Sequence, residues 1–108
     1  MLDELYAFLE ALASGEDLRG EVVGHDIIGN YTVDTCKTLD CGWETAVWNH
    51  HGHIIIVDRY DNREEALAGH SDWCMVCVHE PVAARSVQTG EVEYFDPSVA
   101  PDDEEDEV

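Results

Sequence analysis

A chain of 108 residues supports one domain with a modest hydrophobic core. Its 25 acidic residues against 5 basic ones give a formal charge of −20, which argues against extended contact with nucleic-acid phosphates or anionic lipid. The same charge favours basic protein partners, metal cations or a salty environment.

No stretch approaches the ~18 consecutive apolar residues that span a bilayer. The opening Met1-Leu2-Asp3-Glu4-Leu5 lacks the basic region and apolar run of a signal peptide. The expected location is therefore a reducing cytoplasm, where the four cysteines read as thiols or metal ligands rather than disulfides. Lys37 is the only lysine, and the abundance of Asp, Glu, Ala and Val fits a GC-rich genome or a halophile.

In chain order, Leu2, Leu5, Leu9 and Leu12 recur at helical spacing, with Tyr6 and Ala13 beside them, and Ser14-Gly15 supplies a stop. This predicts an N-terminal helix whose apolar stripe docks on the chain's own sheet, ahead of the alternative of an intermolecular seam, since two heptads make a weak coiled coil. Residues 16–20 form a polar linker. Glu21 to Asn30 places Val22, Val23, Ile27 and Ile28 around Gly24, as one bent strand or two very short ones. Tyr31 to Leu39 is rich in β-branched residues and reads as a strand, and Asp40-Cys41-Gly42 turns the chain back.

Trp43 to Tyr60 predicts a hairpin with His51-Gly52 at its turn, since Gly accepts the positive φ such a turn needs. That register pairs His50 with His53, Trp48 with Ile55, Ala46 with Val57 and Glu44 with Arg59. On the other face it pairs Asn49 with Ile54, Val47 with Ile56, Thr45 with Asp58 and Trp43 with Tyr60. An opposite-charge pair and an aromatic pair fall into place, and apolar residues on both faces imply that both are covered.

Asp61 with Glu64 then reads as a capping box. Ala66, Leu67, His70, Trp73, Cys74 and Cys77 follow at three- and four-residue spacing, which predicts a helix closed by Pro81. Val82 to Thr89 and Glu91 to Phe95 flank Gly90, as a second small hairpin or a loose return to the sheet. The expected architecture is α+β over residues 1–96: a small antiparallel β-meander with an N-terminal helix and a second helix packed on the sheet. Residues 97–108, ending Asp102-Asp103-Glu104-Glu105-Asp106-Glu107-Val108, are expected to be a disordered acidic tail.

Several of these pieces form an ordered pattern: Val33-Asp34-Thr35, Trp43-Glu44-Thr45-Ala46, Ile55-Ile56-Val57-Asp58-Arg59-Tyr60, Arg63-Glu64-Glu65-Ala66 and Gly69-His70-Ser71-Asp72-Trp73. Across residues 33–79 the chain thereby resembles small proteins of tailed bacteriophages and related archaeal viruses. The resemblance implies a viral origin and carries no activity, and it does not extend to the acidic tail or to the cysteines at the end of the helix.

The sharpest chemical constellation is Cys36-x4-Cys41 together with His70-x3-Cys74-x2-Cys77. Positions 70, 74 and 77 share a helix face, and zinc takes four N or S ligands in a tetrahedron, commonly from two short-spaced pairs. Against a zinc module stands the ordinary reading, in which Cys74 and Cys77 are thiols packed under the sheet and His70 is a hydrogen-bonded packing histidine. His50, His51 and His53 sit at the hairpin tip, where imidazoles hold a transition metal, sense pH or simply occupy an exposed turn. No recognisable nucleophile motif or Gly-rich phosphate loop occurs, and Asp58, Asp61 and Glu64 have strand-end and cap roles, so no catalytic residue is assigned and no cofactor is expected.

The expected function is that of a non-enzymatic acidic viral protein acting through protein–protein interaction, with virion components or with itself, in the host cytoplasm or on the virion. Two alternatives stand beside it. One is an acidic inhibitor that mimics nucleic-acid charge on a host protein; the other is a small zinc-binding module using Cys36, Cys41, Cys74 and Cys77.

Overall fold

The computed structural model describes residues 21–38 and 42–101. The expected N-terminal helix, Cys41 and the end of the acidic tail lie outside the described residues.

A four-stranded antiparallel meander forms the body of the fold, in the order β1 (Val22–Ile28), β2 (Tyr31–Thr38), β3 (Gly42–Asn49) and β4 (Ile55–Tyr60). Helix α1 (Arg63–Val78) lies across one face in contact with all four strands. A two-stranded sheet, β5 (Ala83–Arg85) with β6 (Val92–Tyr94), follows it, and a short 3-10 turn spans Pro97–Val99. The return after the helix is thus a true hairpin. The α+β class and the helix-on-sheet packing agree with the sequence reading.

β1 is a single strand, with a bulge between Val22 and Gly24. A Gly29-Asn30 turn joins it to β2, with Gly29 in the left-handed region at φ 62° and Ile28 paired with Tyr31. Between β3 and β4 the expected register holds for Trp43 with Tyr60, Glu44 with Arg59 and Thr45 with Asp58. A bulge then absorbs Val57, so Ala46 pairs with Ile56 and Val47 with Ile55, one residue off the expected partners. The connection also differs from a two-residue turn. The Gly52 amide donates to the Asn49 carbonyl at 2.9 Å and the His51 amide to Asn49 Oδ1 at 3.0 Å, so the chain turns over residues 49–52 and β4 starts only at Ile55. His50 therefore does not face His53 across a ladder.

The helix starts one residue later than the expected cap. Asn62 is the N-cap, its side chain accepting from the Glu65 amide at 2.9 Å, while Glu65 Oε1 accepts from the Asp61 amide at 3.3 Å. Glu64 and Glu65 complement the positive end of the helix dipole. At the other end Glu80 takes a left-handed conformation, φ 52°, and Pro81 prevents continuation. Ala66, Gly69, His70 and Cys77 are buried, Trp73 and Cys74 partly so. Leu67, expected on the same stripe, faces solvent.

The pleat divides the core in two. Tyr31, Val33, Val47, Ile55, Val57, Cys77 and Phe95 pack together between the sheet, the helix and the second hairpin. Cys36, Ala46, Ile54 and Ile56 form a second cluster on the far face, flanked by Val22 and Trp48. Two acids are also buried on that side: Asp34 Oδ2 lies 2.5 Å from His25 Nδ1, and Glu44 Oε2 accepts from Arg59 Nε at 2.7 Å. Reversing the charges of Glu44 and Arg59 together should therefore cost less than the two single reversals combined, with a coupling on the order of 1 kcal/mol or more in urea denaturation. Zero coupling would reject this pairing.

Candidate functional site

The helix delivers His70 to the sheet at the bulge of β1. A Cβ on Gly24 would overlap the imidazole ring, so the missing side chain on β1 is what lets the ring lie flush against the strand. From there His70 Nε2 reaches Asp26 Oδ2 at 2.7 Å, and Nδ1 reaches Thr35 Oγ1 on β2 at 2.7 Å. Thr35 Oγ1 is 2.6 Å from Thr45 Oγ1 on β3, and Thr45 Oγ1 is 2.9 Å from the hydroxyl of Tyr60 at the end of β4. A Cβ on Gly69, the residue beside His70, would overlap the Tyr60 ring, so a second glycine makes room for the far end of the chain.

These polar groups thread the sheet from edge to edge: Asp26, His70, Thr35, Thr45, Tyr60. With His70 protonated on Nε2, each hydroxyl donates toward the histidine and Asp26 accepts the last proton. With His70 protonated on Nδ1, the hydroxyls rotate and the chain runs toward Tyr60. Only the first direction also gives the Asp26 carboxylate a proton to accept; the second sets two acceptors, Nε2 and Oδ2, against each other unless a cation stands between them. Burial pushes the Tyr60 phenol up to about 12, a shift the Thr45 hydrogen bond opposes and the carboxylates of Asp58 and Asp72 reinforce. It remains a neutral hydroxyl across the physiological range.

Cys74, one helical turn after His70, completes the cluster. Its Sγ stands 3.9 Å from Asp26 Oδ2, and single ligand atoms of Asp26, His70 and Cys74 all lie within 4.8 Å of one another. Burial and then the Asp26 carboxylate raise the Cys74 thiol above its ordinary value. Cys77, deep in the core, is pushed up to about 11 by burial and then by neighbouring Cys74. Both are protonated thiols at neutral pH, and a protonated thiol is a weak nucleophile. The connectivity Asp–His–Thr matches that of a nucleophilic triad, but Thr35 is fully buried and bonded to Thr45, so a substrate carbonyl has no approach to its oxygen.

The sequence-derived ligands divide accordingly. His70 and Cys74 come together as their helical spacing predicts. Cys77 points into the core between helix and sheet, and Cys36 packs on the opposite face of the sheet, so neither joins them. Cys41 lies outside the described residues. Asp26 carries no signal in the sequence: it sits 44 residues before His70, in a segment legible only as a strand. His70 is hydrogen-bonded and buried, as expected of a packing histidine, yet one of its partners is a surface carboxylate.

At the hairpin tip each imidazole finds its own neighbour. His50 and His51 stack with ring centroids 4.1 Å apart, His51 Nε2 is 3.5 Å from Asp96 Oδ2, and His53 Nε2 is 2.8 Å from Glu93 Oε1. Hydrogen bonds from Ser98, and then the nearby His51 and His50, hold the Asp96 carboxyl below its usual value. These histidines fan out toward the second hairpin and the 3-10 turn instead of converging on a point. Among the described residues no helix is long and apolar enough to cross a membrane. Comparison of the chain with known protein families, with curated proteins and with solved structures finds no match.

Proposed function

We propose that this is a non-enzymatic viral protein that works by binding another protein, as a component associated with the virus particle, and that it docks through the outer face of the second half of α1. One observation carries the reading. From Trp73 to Val78 the helix has no charged side chain, so it is apolar around its whole circumference. Trp73, Cys74 and Cys77 face the sheet, while Met75, Val76 and Val78 are exposed, continued past the helix by Val82. A helix apolar on every side is ordinarily buried on every side, and an exposed apolar strip on a chain of charge −20 points to a partner that covers it.

Charge selects the partner. The exposed acids of the helix and its end are Glu64, Glu65, Asp72 and Glu80, against the single basic Arg63. A second copy of the chain would bring these acidic rims together, and an anionic lipid surface or nucleic acid would be repelled. The fitting partner is a protein with an apolar groove rimmed by Lys and Arg, a helix-in-groove arrangement in which acidic flanks set orientation and encounter rate.

The test compares the unaltered chain with a Met75→Glu/Val78→Glu variant in purified virus particles. Both positions are exposed, so the variant should melt within roughly 4–8 °C of the parent, since surface changes away from structural features stay within ~0.5 kcal/mol each and ~1 kcal/mol moves the midpoint of so small a domain by that much. The parent should be present in particles and the variant depleted. Equal presence of both, or a salt-sensitive complex of both with a host DNA-binding protein, would overturn the reading; the latter would establish charge mimicry in its place.

A further inference from the structure

We propose that Asp26, His70 and Cys74 form a binding site for one zinc ion. The donor set is one carboxylate oxygen, one imidazole nitrogen and one thiolate sulfur, which suits a borderline-soft divalent ion and disfavours calcium or magnesium, whose ligands are oxygens. Two ligands stand at i and i+4 on one helix, a spacing that places both on the same face. The third comes from a strand edge across from them.

The distances fit. Zinc–ligand bonds of ~2.0–2.3 Å in a tetrahedron separate neighbouring donor atoms by roughly 3.3–3.8 Å. Asp26 Oδ2 is 3.9 Å from Cys74 Sγ already, and its 2.7 Å hydrogen bond to His70 Nε2 has to open only slightly. Asp26 has the freedom to do so, because its side chain is 57 % exposed, on an edge strand. His70 by contrast is fixed, packed against Gly24 and held at Nδ1 by Thr35.

That second nitrogen supports the assignment independently. A metal-binding histidine characteristically uses its other ring N–H in a hydrogen bond that sets tautomer and orientation. Here Nδ1–H would donate to Thr35, Thr35 to Thr45, and Thr45 to Tyr60, the second of the two directions the polar chain permits. Zinc takes the place of the Nε2 proton, which returns to the ring at Nδ1 by exchange with solvent while the buried hydroxyls rotate. The Cys74 thiol releases its proton to solvent as it ligates, so binding strengthens as pH rises. Three protein ligands at a partly exposed position leave a fourth for water.

The experiment uses the full chain, freed of metal by chelation and kept reduced, and titrates it with Co2+ as a spectroscopic probe for zinc. The expected result is one Co2+ per chain with a cobalt–thiolate charge-transfer band, displaced by Zn2+, and a melting temperature raised by Zn2+. Cys74→Ser and Asp26→Asn, both at partly exposed positions, should abolish the band or weaken Co2+ binding at least ~10-fold, while Cys77→Ala and His53→Ala should leave it intact. Co2+ bound without a thiolate band, binding unchanged in Cys74→Ser, or no binding at all would each overturn the site. Circular dichroism of each variant confirms that a lost band reflects a lost ligand rather than a lost fold. Particle association of the Met75→Glu/Val78→Glu variant is read separately, so this site and the docking face stand or fall apart.

Discussion

Replacing Gly69 by Ala should destabilise the domain by about 2 kcal/mol, although the same change in an exposed helix interior stabilises by ~1 kcal/mol. Gly69 is in the middle of α1 and buried, and a Cβ there would overlap the Tyr60 ring at its Cε1, Cζ and hydroxyl. The ring cannot simply withdraw, because its hydroxyl is bonded to Thr45 beneath the helix. Either α1 rises from the sheet or the polar chain breaks at Tyr60, and overpacking of this kind costs ~1–3 kcal/mol. For a domain of this size the thermal midpoint should fall by roughly 8–16 °C. Changing Tyr60 to Ala removes the obstacle at its own cost. In that background Gly69→Ala should recover the ordinary sign and become stabilising. If Gly69→Ala alone stabilises the parent, the ring of Tyr60 does not lie against the helix and the Thr45–Tyr60 end of the polar chain is misplaced. Gly24→Ala should behave in the same way through His70, whose ring has even less freedom because both nitrogens are bonded.

Those two glycines mark the limit of what the sequence makes legible. Gly69 reads there only as a weak point in a helix, and Gly24 only as a bend; that each accommodates a ring from another element depends on how α1 crosses the sheet. The helix itself is plain in its periodicity and acidic first turn. Its cap is ambiguous by one residue, because Asp61 and Asn62 are both good caps and each has a Glu three residues on. The β3–β4 register is legible where polar side chains punctuate it, at Trp43–Tyr60, Glu44–Arg59 and Thr45–Asp58. It fails at Ile54-Ile55-Ile56-Val57, where four consecutive apolar residues carry no alternation and any of them can face either side, so the bulge at Val57 leaves no trace. The turn differs from the expected one for another reason. Asn49 and Gly52 occupy the first and fourth positions that a type I turn favours, a signal in competition with the shorter His51-Gly52 turn.

The same distinction separates the parts of the candidate site. His70 and Cys74 are local, one turn apart on a helix, and their proximity follows from 3.6 residues per turn. Asp26 and Thr35 are brought to them by topology, through an edge strand and its neighbour passing under the helix. Cys36 is excluded by parity: it is one residue from Thr35, and the pleat sends neighbours to opposite faces. A cysteine count therefore suggests a ligand set that the sheet divides.

Phe95→Ala should remove ~3–5 kcal/mol, a large share of the ~5–15 kcal/mol available to a domain of ordinary stability. The sequence places Phe95 at the end of a second small hairpin or a loose return, with nothing to mark it as core, yet it is 1 % exposed and among the largest fully buried side chains. It packs edge-on against Tyr31, with ring centroids 5.5 Å apart at 90°, an arrangement worth ~0.5–1.5 kcal/mol beyond the area it buries. Backbone bonds fix it there: the Phe95 amide donates to the Val82 carbonyl at 3.1 Å, and the Val87 amide donates to Ile56 on β4 at 2.9 Å. The Tyr31 hydroxyl donates to the Pro81 carbonyl at 2.6 Å, tying the end of the helix to β2. Residues 82–95 thus close the open end of the helix–sheet core rather than decorate it. Phe95→Leu, which keeps much of the apolar volume, should lose far less than Phe95→Ala, and Tyr31→Phe should lose ~1 kcal/mol for its hydrogen bond. A chain ending at Pro81 should show no cooperative melting transition. If Phe95→Ala instead costs under 1 kcal/mol in urea denaturation, the second hairpin is peripheral, and the four strands with α1 stand as a complete domain.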